Sequence, residues 1–309
     1  MDNITKMAAF LVFSFFLIGC TSSGQVQNQG EEANKSTVMA SFYPLEFFTE
    51  RIAMDKAEVR SLVPAGVEPH DYELSPNDVV ELTKASFTVY NGAGMEHWIT
   101  GFSASAQVKL VEASKGIELL GLSPGAEGYE EGNFQKDPHV WLNPKTAKAE
   151  AANILIALKE TDPVNSVFYQ SNAEKLYAEL DSLDYEYKKG LADCRQDSVF
   201  TSHAAFAYLA REYGFKQVAI SGLSPDAEPT PSELAEIVDL AKEKNIKYIG
   251  FESLVSPKLS QTIASEVGAQ VIVLDPIEGI SPENALKGDN YLTVMQQNLQ
   301  SLRTMLECK

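Results

Sequence analysis

Short runs of β-branched and apolar residues alternate with helically spaced segments along almost the whole chain, and this limits the fold more than any other feature. TVMASFYPL (37–45) reads as a strand ended by Pro44, and LEFFTERIAM (45–54) has helical spacing. AEVRSLVP (57–64) is a second strand. SPNDVVELTKA (75–85) is a helix with Ser75 as N-cap and Pro76 in the first turn. SFTVYNG (86–92) and VKLVEAS (108–114) are further strands, with a short helix, MEHWITGFSAS (95–105), between them. Such alternation predicts parallel sheets covered by helices.

The second half repeats the plan without visible sequence identity to the first. SVFTSH, KQVAISG, IKYIGFE and AQVIVLDP read as strands. AAFAYLAREYG, closed by Gly214, is a helix between them. TPSELAEIVDLAKEKN opens with Thr230 and Pro231 and has Glu233 three residues after the cap. SPKLSQTIASEVG is another helix, and GDNYLTVMQQNLQSLRTMLEC (288–308) a long final one. Between the halves, Tyr169, Ala173, Leu176, Leu180, Leu183, Tyr187 and Leu191 recur at steps of three and four. That stretch predicts a helix of about 28 residues, roughly 40 Å long, crossing between the halves. The expected fold is therefore α/β, two parallel-sheet lobes joined by a long rigid helix.

The first residues follow other rules. MAAFLVFSFFLIG (7–19) has no charge but is too short to span a bilayer, and it suits a signal-peptide core. LIGC, ending at Cys20, has the form of a lipobox, which points to lipid attachment at that thiol. The polar stretch from Thr21 to Ser36 reads as a flexible tether. The expected organisation is a signal peptide at 1–19 and a lipid-anchored tether at 20–36. An N-terminal lobe at 37–163, a linking helix at 164–194 and a C-terminal lobe at 195–309 follow. In an exported chain the other two cysteines, Cys194 and Cys308, are expected to pair. The formal net charge of −18 argues against a nucleic-acid partner and suits a surface that attracts cations.

Two of the four histidines share one frame, EPHDYELSP around His70 and DPHVWLNP around His139. Each follows a proline, which fixes φ just before it and makes ring placement cheap in entropy. His203 ends a strand, and ligand sites of open α/β sheets lie beyond strand C-termini. Imidazole is the commonest metal-ligand side chain, so His70, His139 and His203 are candidate ligands. Glu68, Asp71 and Asp137 are candidates to orient the rings. His97, beside Trp98, reads as a surface or packing residue. A tetrahedral zinc site needs a fourth ligand. Glu278 or Asp275, in VLDPIEGIS, could supply it, Glu278 having the longer reach. The acidic, glycine-rich segment Gly121–Lys136 reads as a loop near that site and holds no histidine.

GVEPHDYELSP, NGAGMEHW, DPHVWLNP, FTSHAAFAYLAREYG, SPDAEPTPSEL, FESLVSPKLSQTIASEVGA and VLDPIEGIS together resemble the zinc-uptake (ZnuA-like) branch of the metal-binding solute-binding proteins of ABC importers. The resemblance spans the region from about Thr37 to the C-terminus. It implies one Zn2+ in an interlobe cleft, with His70 and His139 from the first lobe and His203 and a carboxylate from the second. It further implies a monomeric, non-enzymatic lipoprotein on the outer face of the cytoplasmic membrane, which delivers zinc to an ABC permease. Manganese-type relatives usually carry an acid where His203 stands, and nitrogen ligands suit zinc better. The histidine-rich run of many zinc members is missing here between Gly121 and Lys136. Rival readings are a manganese-binding or adhesin-type relative and a secreted zinc hydrolase. The chain holds neither an HExxH zinc-protease motif nor a Walker ATP-binding motif.

Overall fold

The computed structural model describes residues 35–99, 108–121, 136–227 and 229–309. The leader, Cys20, the tether up to Asn34 and most of the segments 95–105 and 121–136 lie outside them. Val38, Ala40, Phe87 and Val89 turn their side chains to one side, as period-two strands must, and are fully buried. The strands β1 (Ser36–Ala40), β2 (Ala57–Ser61), β3 (Phe87–Tyr90) and β4 (Leu110–Glu112) form a parallel sheet in the order β2-β1-β3-β4. Its register pairs Val38 with Val59 and Phe87, and Thr88 with Leu110. Helices α1 (Tyr43–Ala53) and α2 (Pro76–Lys84) make the parallel crossovers. Ser75 and Asp78 close a reciprocal capping box at the start of α2.

The second sheet repeats this order. It is β6-β5-β7-β8, built from β5 (Ser198–Thr201), β6 (Lys216–Ala219), β7 (Tyr248–Phe251) and β8 (Gln270–Val273), again parallel. Between the two sheets in sequence come α3 (Pro144–Thr161) and α4 (Ser166–Gly190). Within and after the second sheet come α5 (Ala207–Tyr213), α6 (Pro231–Glu243), α7 (Lys258–Val267), α8 (Pro282–Leu286) and α9 (Tyr291–Met305). Gly214 ends α5 in the left-handed conformation at φ +81°, which glycine adopts without a Cβ penalty. Thr230 and Glu233 form the expected capping box of α6.

The long helix has 25 residues, shorter than the roughly 28 expected. It is roughly 38 Å long at 1.5 Å per residue. Its buried face is the predicted one with Asn172 added and with Leu191 just beyond the last turn, as the C-cap. Asn172 donates to the carbonyl of Ile52 in α1, and the Tyr187 hydroxyl donates to that of Met295 in α9. The helix is thus tied by polar side chains to both halves while its apolar stripe fills the space between them. One core runs through Phe48, Trp141, Leu176, Phe206, Leu274 and Tyr291, so the inner faces of both sheets share it.

The final helix departs from the sequence expectation at both ends. It starts at Tyr291 because Asn290 caps it, and it stops at Met305. The short helix α8 before it was not anticipated; Ser281 caps it and Pro282 occupies its first turn. Beyond α9, Cys308 forms a disulfide with Cys194, 114 positions away, just past the end of α4. No described helix is long and apolar enough to cross a membrane.

Candidate metal centre

Each sheet reverses its winding direction beside its first strand, and the crevice at such a switch point, beyond the strand C-termini, is where open α/β sheets bind ligands. His203 follows β5 and Glu252 follows β7, the two strands flanking that point in the second sheet. The His203 carbonyl accepts from Thr201 Oγ1 and Gln217 Nε2, at 2.8 and 2.9 Å, which fixes the backbone. Its ring Nδ1 lies 2.6 Å from Glu252 Oε1. Ring and carboxylate are both buried, so the carboxylate accepts the Nδ1–H and turns Nε2 toward the site as the nitrogen a metal would take.

His139 is built the same way from different parts. It caps the turn Val140–Leu142 just before α3, where Asn143 and Pro144 start the helix. Asp137 Oδ1 accepts from the His139 backbone N–H at 2.9 Å and lies 2.8 Å from its Nδ1. Asn91 Nδ2 donates to the Pro138 carbonyl at 2.9 Å, and the Tyr208 hydroxyl to that of Asp137 at 2.7 Å. His70 sits on the loop after β2. Glu68 grips its backbone N–H at 3.0 and 3.1 Å rather than its ring. Asp71 orients no ring either; with Glu68 and Asp226 it forms a separate acidic group.

The structure brings His70, His139, His203 and Glu278 together, with one ligand atom from each within 4.8 Å of all the others. His139 Nε2 is 3.2 Å from both His70 Nε2 and His203 Nε2. Glu278 Oε1 lies 3.1, 3.3 and 3.2 Å from the Nε2 atoms of His70, His139 and His203. Zinc bonds of ~2.0–2.1 Å in a tetrahedron give ligand-to-ligand edges of roughly 3.3 Å. The five spacings match that figure. Two neutral imidazoles facing each other through lone pairs repel unless a cation or a proton stands between them.

The charges fit the same picture. Burial opposes charge on His203, yet the Glu252 and Glu278 carboxylates beside it carry its pKa well above the usual range. Burial likewise opposes charge on His139, and Asp137 and Glu278 outweigh it, so its pKa is raised. His70 is lowered, by burial first. Burial works to raise Glu278, but the surrounding histidines hold it well below the carboxylate range. Glu68 is pushed up to about 7, mainly by burial and then by the nearby Glu278 charge. In the absence of metal the site therefore favours protons on the His139 and His203 rings, which a metal ion would have to displace.

Asp275, the other carboxylate candidate, is absent from the four-ligand group. One of its oxygens takes the Ser253 hydroxyl, and the other accepts from the Ile277 backbone N–H at 2.7 Å. His97 does not join the four ligands; it lines a cavity of about 480 Å³ together with His70, Asp71, Gly94, Lys136 and Leu223. His70 keeps 10% of its side chain accessible, against 0% for His139 and His203, so it is the ring that borders this opening. Sequence reasoning missed Glu252. Its one sequence signal is an acid directly after the strand IKYIGF, where sites form.

The profile of the family described as zinc-uptake complex component A, periplasmic (ZnuA), matches residues 38–305. The chain is 39% identical over 316 aligned positions to the high-affinity zinc uptake system protein ZnuA of Bacillus subtilis, covering 97% of each. It is 38% identical to the zinc-binding lipoprotein AdcA of Streptococcus pneumoniae, covering 98% of this chain but 61% of that longer protein. The solved Zn(II)-bound ZnuA-like domain of the same S. pneumoniae AdcA superposes with a TM-score of 0.76 at 39% identity. That superposition covers 88% of this chain and 99% of the domain. Architecture, matched length and identity agree, and the chain belongs to the ZnuA family of zinc-uptake complex components.

Proposed function

We propose that this protein captures Zn2+ outside the cytoplasm with His70, His139, His203 and Glu278 and hands it to the permease of an ABC importer. The observation that carries this reading is the convergence of three Nε2 atoms and one carboxylate oxygen at 3.1–3.3 Å spacings. Two of those rings are fixed in the ligating tautomer by buried carboxylates. Three nitrogen donors and one oxygen favour zinc over manganese, which prefers oxygen-rich octahedral sites. Glu278 fills the fourth position, which a hydrolytic zinc would keep open for water; the protein is a carrier and not an enzyme.

Metal analysis of the purified chain after exposure to zinc and manganese together tests this directly. One zinc per chain and little manganese is the expected result. Preferential manganese uptake, or none of either metal, would overturn it. Cys20 carries a lipid anchor in this reading, and Cys20→Ser would release the protein from the membrane fraction into the medium. The anchored, monomeric carrier presents its cleft to the permease, and a cytoplasmic ATPase drives the import.

A further inference from the structure

Glu278 enters the site from a backbone that its neighbour adopts only under constraint. Ile277 has φ +58°, in the left-handed region that β-branched residues avoid, and its side chain is fully buried. Such a conformation persists only where the surroundings over-determine it. The surroundings here come from three directions. Asp275 Oδ1 accepts from the Ile277 N–H at 2.7 Å, and the Ser253 hydroxyl holds the other carboxylate oxygen. Asn298 of α9 brackets Asp275, accepting from its N–H at 2.9 Å and donating to its carbonyl at 2.6 Å. The Trp141 indole N–H donates to the Pro276 carbonyl at 2.7 Å.

Trp141 is the member of this clamp that reaches across the cleft. It stands two residues after His139, and its ring centroid is 5.2 Å from that of His139. It is fully buried, edge-on to Phe42 at 4.8 Å, and its carbonyl accepts from the Tyr291 hydroxyl. One side chain thereby links the turn that holds His139 to the loop that holds Glu278. His139 Nε2 and Glu278 Oε1, on the two sides of this link, stand 3.3 Å apart.

We propose that Trp141 and Asp275 are positioning residues that set metal selectivity, by holding the Glu278 loop at tetrahedral spacing so that the site does not widen. The inference rests on the zinc reading above and adds what enforces it. A manganese ion needs more ligands in octahedral array, which requires Glu278 to shift or to bind through both oxygens. The hydrogen bonds from Trp141, Asp275 and Ser253 that hold this loop resist that shift. Asp275 thus acts on the metal through the backbone of Ile277 rather than as a ligand.

The test compares the wild type with Trp141→Phe, which keeps an aromatic ring but removes the N–H, and with Asp275→Ala, which removes the acceptor of the Ile277 N–H. Zinc and manganese dissociation constants are measured by competition, and the visible spectrum of the Co2+-loaded protein reports coordination number. Melting of the metal-free chain reports folding. Zinc affinity is expected to fall roughly tenfold in each variant. Manganese affinity is expected to hold or improve, with a weaker cobalt spectrum as the ion gains ligands. Equal losses for both metals, or an unchanged ratio with a wild-type cobalt spectrum, would overturn the proposal. Should Trp141→Phe not fold, Asp275→Ala carries the comparison. Stoichiometric zinc in the wild type keeps the site reading intact whichever way the variants go. A wild type that takes up no zinc overturns both.

Discussion

The two halves share a strand order but deliver their ligands differently. In the C-terminal half, His203 lies two residues after β5 and Glu278 five after β8. Both side chains are essentially dry. In the N-terminal half, His70 rides nine residues beyond β2 on a loop bordering an open cavity, and His139 sits on the turn that leads into α3. Proximity to a strand end and a dry setting make a donor rigid; a longer loop leaves it able to move. The likeness in topology therefore conceals a division between a fixed set of three proposed ligands and a single more exposed one.

Removing ligands one at a time breaks or sharpens this division most strongly. His203→Ala should weaken zinc binding by roughly a hundred- to a thousandfold, a quarter share of the ~10–16 kcal/mol that a structural zinc site supplies. His70→Ala should cost less, because water from the adjoining cavity can take the vacated position. Calorimetric titration of both variants decides it, and equal losses would abolish the distinction. Next in size come the carboxylates behind the fixed rings. Asp137→Asn in one half and Glu252→Gln in the other should each lower zinc affinity by roughly 10–100-fold. A loss confined to one of them would show that the halves orient their histidines by different means.

pH dependence gives a smaller effect with opposite signs for free and loaded protein. His139 and His203 have folded pKa values raised above 6.5, so their contribution to metal-free stability is full below that value and vanishes as pH rises through the folded values. Glu278 is depressed below 4.5, so its contribution is present above 4.5 and vanishes as pH falls through its folded value. His139, His203 and Glu278 together are therefore most stabilising to the metal-free chain between about 4.5 and 6.5, while the lowered His70 works against them there. Zinc requires unprotonated rings, so the extra stability it confers should grow from about pH 5.5 to about pH 8. Melting curves with chelator and with zinc at the two pH values measure both trends. The smallest effect concerns local motion. Amide exchange in the loop 62–75 should slow more on zinc binding than in the clamped loop 274–280. Equal protection would mean that His70 is as fixed as the others.

Much of this was legible in the sequence, and what was not has local causes. The alternation of strand and helix, the long linking helix and the three histidines follow from periodicity and from prolines placed before His70 and His139. The choice between Glu278 and Asp275 was not legible, because it turns on a positive φ at Ile277 and on an indole 135 positions away from Pro276. Glu252 was hidden for a similar reason: it reaches His203 only because β7 lies beside β5 in the sheet. Glu68 and Asp71 were assigned to ring orientation by nearness in sequence, and the folded loop uses them otherwise. The long helix stops short of its predicted end because the apolar stripe says where a face continues, not where the backbone turns away.

The His70 ring, the proposed ligand that borders the open cavity, carries a consequence for delivery. Among the described residues this cavity gives a cargo ion a way in and out past His70. In the proposed function, handover to a transporter would then ask for no prying apart of the body around its long helix. Unhooking one proline-stiffened arm would leave the ion exposed on three donors, ready to be drawn off.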